Sequence, residues 1–216
     1  MPTHPLSHRS GRSRPMLNLH SDIALPLMRV HEACGPARRT FAMWLAGQMT
    51  GPVLWIVPLW ETDRLNPDGM LPFADPARFI FATPRRAEDL LWTTEEALRS
   101  GAAPLVVADL PDPPGLTPVR RMHLAAETGG EQGGGPPLGL LLCPGDGGAP
   151  GVESRWHMAP AHQGGTRRWR LERRRARMAP QKTWMATQVR PRAGLELGPV
   201  SASSEDGVRE SPVTIR

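Results

Sequence analysis

The chain has 216 residues, enough for one full domain with its own core, and a formal net charge of +5 with histidines neutral. Lys182 is its only lysine, so arginine supplies nearly all of the positive charge, and any chemistry that needs a side-chain amine must use that one residue. Two well-separated cysteines, Cys34 and Cys143, argue against a disulfide framework, and no apolar run approaches the ~20 residues of a membrane-spanning helix.

Residues 1–22 are rich in Pro, Ser, His and Arg, and residues 190–216 are polar without apolar periodicity. Both are expected to be disordered tails around a single domain at 23–189. The N-terminus is basic but has no apolar stretch, so no secretory signal is expected and a cytoplasmic location fits. Within the domain, residues 28–34 alternate in character and turn at Gly35-Pro36. Residues 37–49 carry Phe41, Trp44, Leu45 and Met49 at helical spacing. Residues 53–57 and 78–82 are apolar runs of strand length. Residues 85–100 read as an amphipathic helix closed by Gly101. Residues 105–109 form a third apolar run, ending in Asp109.

Residues 117–128 read as a basic helix with Val119, Met122, Leu124 and Ala125 inward, and residues 129–135 as a flexible loop. A fourth apolar run at 138–143 precedes a Gly/Pro-rich loop at 144–151. Residues 154–158 and 168–174 suit edge strands. Strands alternating with helices predict an α/β fold, a mostly parallel central sheet with helices on both faces.

A strand, a glycine turn and a helix in that order make an anion site, because backbone N–H groups and the positive helix end face the ligand. A working phosphate loop reads Gly-x-x-x-x-Gly-Lys-Ser/Thr. Here Gly35-Pro36-Ala37-Arg38-Arg39-Thr40 keeps the first glycine and a hydroxyl, lacks the second glycine, is about two residues short, and has arginine in the place of lysine. Arginine keeps the charge but is bulkier and forked. Gly35, Pro36, Arg38, Arg39 and Thr40 are therefore the candidate nucleotide-binding residues of a degenerate loop, set against a plain strand-to-helix connection. Asp109, at the end of a buried strand, stands where an aspartate would hold Mg²⁺ indirectly; the alternative is an aspartate that caps the following turn.

Three segments resemble RecA: residues 31–36, 99–109, and Gly115-Leu116 with the helix behind it. More closely, the chain resembles the ImuA family, through Arg29-Val-His-Glu with Gly35-Pro36, Leu65-Asn-Pro-Asp-Gly69, and residues 169–177 with Pro180 and Trp184. The likeness spans roughly residues 25–187. It implies a RecA-like, phosphate-loop-derived domain and a place in SOS-type, damage-induced translesion synthesis. The partners it implies are an ImuB-type polymerase-like protein and an error-prone replicative-type polymerase, with RecA and single-stranded DNA as further candidates and no membrane. Where RecA places a water-activating glutamate after the second strand, this chain has Leu59, with Glu61 two positions on. Losing that base or the loop lysine costs on the order of a thousandfold or more in rate. No catalytic residue, metal or cofactor is therefore expected, with ATP and Mg²⁺ as the ligands if the loop still works. The alternatives are a DNA-dependent ATPase with an atypical loop, and an inhibitor of cell division resembling SulA.

Arg167, Arg168, Arg170, Arg173, Arg174, Arg175 and Arg177 cluster late in the chain, with Trp169 among them and Trp184 behind. On a strand, Trp169 and Leu171 share one face while Arg168, Arg170 and Arg174 share the other. Three readings stand: a phosphate track for single-stranded DNA with Trp169 or Trp184 stacking on a base, a dock for an acidic partner, or a solvated strand face over a core tryptophan. Arg120 and Arg121 are added as DNA- or partner-binding candidates, on a helix between two flexible loops.

Overall fold

The computed structural model describes residues 14–132 and 134–200. It is an α/β fold built on a nine-stranded mixed sheet, mostly parallel in its central part. A two-stranded hairpin comes first, β1 (Met16–His20) and β2 (Ile23–Pro26). Then follow β3 (Arg29–Cys34), α1 (Arg38–Gln48), β4 (Val53–Ile56), a single-turn helix α2 (Pro67–Met70), β5 (Phe79–Ala82), α3 (Ala87–Ser100), β6 (Leu105–Asp109), α4 (Leu116–Glu131) and β7 (Leu138–Leu142). The chain closes with β8 (Ser154–Pro160), β9 (Arg167–Ala176), β10 (Lys182–Gln188) and the short β11 (Glu196–Gly198).

The sheet order is β11-β10-β9-β8-β3-β7-β6-β4-β5. From β8 to β5 every neighbouring pair is parallel, and from β8 to β11 every pair is antiparallel. β6 and β7 are buried along their whole length because both sheet faces are covered there, which is why they read as unbroken apolar runs. On one face lie α1 and the hairpin, with Phe41, Trp44, Ile23 and Leu25 packed on Trp156, Trp169 and Trp184 of the antiparallel strands. Phe41 stacks on Trp156 with ring centroids 5.6 Å apart, and Trp156 on Trp184 at 6.1 Å. On the other face α3 and α4 bury Leu90, Leu98, Val119 and Met122.

Four expectations need correction. Residues 16–20 and 196–198 are strands rather than tail; residues 1–13 and 201–216 lie outside the described residues. β8 and β9 are interior strands, since β8 pairs with β3 and β9 pairs with β10. The supposed loop at 129–135 starts inside α4, where Gly129 lets the helix meet α3: a Cβ there would stand 2.1 Å from the Leu98 carbonyl oxygen. Leu124 is 63% exposed rather than inward, while His123 is turned in to accept from the Val30 N–H and donate to the Gly151 carbonyl. Among the described residues no helix is long and apolar enough to cross a membrane.

Candidate functional site

The loops after β3, β4, β6 and β7 gather at the carboxyl rim of the parallel strands, where open α/β sheets place their ligands. Gly35 makes the turn into α1 at φ +85°, and a Cβ there would lie 2.6 Å from both His157 Nε2 and the Met158 carbonyl oxygen, so only glycine fits. Three amides of this turn are already used. Gly35 N–H donates to the Gly145 carbonyl, Ala37 N–H to Met158 and Arg38 N–H to Gly35, while Pro36 has none to give. Ala37 caps α1 without a side-chain hydrogen bond, and Thr40 lies half-buried in its first turn.

Arg39 reaches across the rim to Asp109. Its Nε donates to Asp109 Oδ2 at 2.6 Å, and one terminal nitrogen donates to Asp63 Oδ2 at 2.6 Å and the Asp63 carbonyl at 2.9 Å. Glu61, by accepting from the Asp63 N–H at 2.9 Å, shapes that loop. Burial works against the charge on Arg39, but Asp109, Asp63 and Glu61 outweigh it and raise its pKa above the usual arginine value. Asp109, with a side chain only 5% exposed, is pushed above the usual carboxylate range by burial, which Arg39 and Arg38 oppose without reversing. Arg38 Nε stands 3.8 Å from Asp109 Oδ1, and it has no hydrogen-bond partner among the described residues.

These residues do not fit ATP with Mg²⁺. The carboxylate that would steady the metal is committed to Arg39, the Gly35, Ala37 and Arg38 amides are committed to carbonyls, and Lys182 is on β10, paired with Asp22 at 2.5 Å. A small cavity of about 180 Å³ beside the clasp, lined by Arg39, Trp55, Asp63 and Phe81, is too small for a nucleotide. Among the described residues no cluster of His, Cys, Asp or Glu could hold a metal ion.

Next to the clasp, the fully buried Glu32 organises the loop after β7. Its Oε1 accepts from the N–H groups of Gly148 and Ala149, and its Oε2 accepts from Arg155 Nε at 2.5 Å. Cys34 and Cys143 are buried beside it, and burial followed by the Glu32 charge raises both thiols, Cys34 to about 11, so neither is a ready nucleophile. A second buried network pins the hairpin. Trp156 Nε1 donates to Ser154 Oγ, Ser154 Oγ is 2.7 Å from His31 Nδ1, and His31 Nε2 is 2.9 Å from the Pro26 carbonyl. Burial lowers the His31 pKa to about 4, so the ring is neutral and donates from Nε2. Sequence reading did not find Asp63, Glu32 or Ser154 as site-forming residues, because each works only through partners distant in sequence.

The late arginines do not form one patch. Arg168, Arg170 and Arg174 lie on the open face of β9 with Glu172 between them. Glu172 pairs with Arg170 at 2.9 Å and with Arg174 at 3.0 Å, and Arg174 also takes Asp146. Arg167 and Arg175 are exposed. Arg173, in contrast, is buried on the tryptophan face, its guanidinium 5.1 Å from the Trp184 ring centre and 5.7 Å from that of Trp156. Trp169 and Trp184, at 4% and 3% exposure, cannot stack on a base, which corrects that expectation. Arg121 ties α4 to Glu95 of α3 at 2.7 Å, and Arg120 is exposed beside it. In comparisons with known proteins, no family model and no curated protein matches the chain.

Proposed function

We propose that the chain is a non-catalytic, RecA-like accessory protein of the ImuA kind, which bridges polymerase subunits at damaged templates and can contact single-stranded DNA or RecA there. The observation that carries this reading is the clasp of Arg39 on Asp109 and Asp63. It lies at the turn that the resemblance equates with a phosphate loop; there Arg39 and Asp109 are each other's partners, and the Gly35, Ala37 and Arg38 amides donate to carbonyls. Phosphoryl transfer depends on positioned cations and a positioned water, and a site whose charges are closed on themselves offers neither. The segment order along the parallel sheet and the resemblance to ImuA support the assembly role, and the exposed arginines of β9 supply charge for a polyanion or an acidic surface. The rival reading, a DNA-stimulated ATPase, requires Arg39 to leave Asp109 for a phosphate.

Co-expression of the full chain with an ImuB-type polymerase-like protein tests the proposal. A stable complex through affinity and size-exclusion steps is the expected result. A folded chain that forms no complex contradicts it.

A further inference from the structure

A cavity away from the clasp shares no lining residue with it. It is a groove of about 630 Å³ between the β1–β2 hairpin and the ends of β8 and β9, within the size range of ligand and peptide sites. Its apolar surface comes from Met16, Ala24, Pro26, Trp156 and Met178. Two of these stand at the rims and are open to water, Met16 at 43% and Met178 at 88% exposure. Methionine is a flexible, polarisable residue that adapts to varied partner side chains.

The charges around the groove are unequal in their commitments. Asp22 gives its carboxylate to Lys182, and Glu153 gives its own to Arg29 at 3.6 Å. Arg173 and Arg177 also line the groove, and among the described residues neither forms an ion pair. Arg173 donates only to the carbonyls of Pro180 and Asp22 and lies against two tryptophan faces. A guanidinium taken out of water without a carboxylate is a costly arrangement unless a partner supplies the anion. Beneath it, the hydrogen-bonded chain from Trp156 through Ser154 and His31 to Pro26 fixes both walls, so the groove is formed in advance.

We propose that this groove docks an acidic segment of a partner protein, which sets an apolar side chain against Met16, Ala24 and Met178 and a carboxylate on Arg173 and Arg177. The inference rests on the accessory-protein reading and names where such a protein holds its partner. Nucleic acid suits the groove poorly, because Arg14 is paired with Glu127, Asp22 and Glu153 lie beside Arg173 and Arg177, and apart from Ser21 and Ser154 the other lining residues are apolar. Met16 and Met178 leave the groove open to water at its rims, which favours a chain segment over a compact small molecule.

The test uses the full chain labelled at its methionine methyl groups and titrated in solution by NMR. The probes are short blocked peptides in which Asp or Glu alternates with Leu, Ile or Phe, the same peptides with Asn and Gln, 3-phenylpropionate, and oligothymidylate. The acidic peptides are expected to shift the Met16 and Met178 methyl signals, and the amide versions to bind about tenfold more weakly. The double variant Arg177→Ala, Met178→Ala changes only exposed side chains and is expected to lose binding about fivefold or more. Equal shifts from acidic and neutral peptides overturn the proposal. So do tighter binding of phenylpropionate or oligothymidylate at the same signals, or no shift with any peptide. Loss of groove binding with an intact polymerase-partner complex refutes the groove alone. Groove binding without that complex refutes the accessory role alone.

Discussion

Arg39, at the carboxyl rim of the parallel strands, and Arg173, inside the antiparallel extension, are both guanidinium groups drawn partly or wholly out of water. Arg39 is met by two carboxylates within 2.6 Å, and with Glu61 nearby the rim is a closed electrostatic unit. Arg173 is met by carbonyls and tryptophan rings, and its nearest carboxylate, Asp22, belongs to Lys182. At the rim the charges are turned on one another, while in the antiparallel extension a guanidinium is left without a carboxylate of its own. Position in a familiar loop does not decide which charges are available; their partners do.

The largest effect should come from breaking the closed unit. Arg39→Ala leaves the Asp109 carboxylate buried with only Arg38 at 3.8 Å, and should cost about 3 kcal/mol of stability, read as a lowered urea midpoint. A loss under about 1 kcal/mol would show that the pair is not what holds the rim. Acid should act nearly as strongly on the scaffold beneath the groove. With His31 at about 4 in the fold and near 6.5 when unfolded, the unfolded chain binds more protons between those values, so stability rises with pH across that window. The His31 contribution is a loss of about 3 kcal/mol on going from pH 7 to pH 4, absent in His31→Asn, and urea midpoints at both pH values check it. Arg173→Met should change stability by no more than about 1 kcal/mol, since it removes an uncompensated buried charge and keeps the bulk against Trp156 and Trp184. If it destabilises as much as Arg39→Ala, the contrast between the two arginines fails. Arg170→Ala, on the open face of β9, should stay within about 0.5 kcal/mol, because its pair with Glu172 is exposed.

Much of the frame was readable from the chain. The apolar runs at 53–57, 105–109 and 138–143 gave β4, β6 and β7, since only strands covered on both faces are apolar throughout. Gly35 and Gly101 marked a strand-to-helix turn and a helix end, both at positive φ. The hairpin at 16–26 was hidden because its strands bury only alternate residues, such as Ile23 and Leu25, and its polar neighbours look like tail. The end of α4 was hidden because Gly129 and Gly130 read as loop in isolation, although Gly129 is there for helix contact. The site was legible as a list but not as a circuit. Arg39 and Asp109 were both singled out, yet their pairing depends on the crossover that brings residues 70 positions apart together. Likewise, strand alternation placed Arg168, Arg170 and Arg174 on one face, and a bulge between β8 and β9 lies next to the buried Arg173.

The central claim is that Arg39 and Asp109 close on each other rather than on a nucleotide. ATP turnover by the full chain with Mg²⁺, with and without single-stranded DNA, tests it most directly. The predicted result is no turnover above the protein-free rate under either condition. Turnover that is present in the natural chain and vanishes in both Arg39→Ala and Asp109→Ala would contradict it.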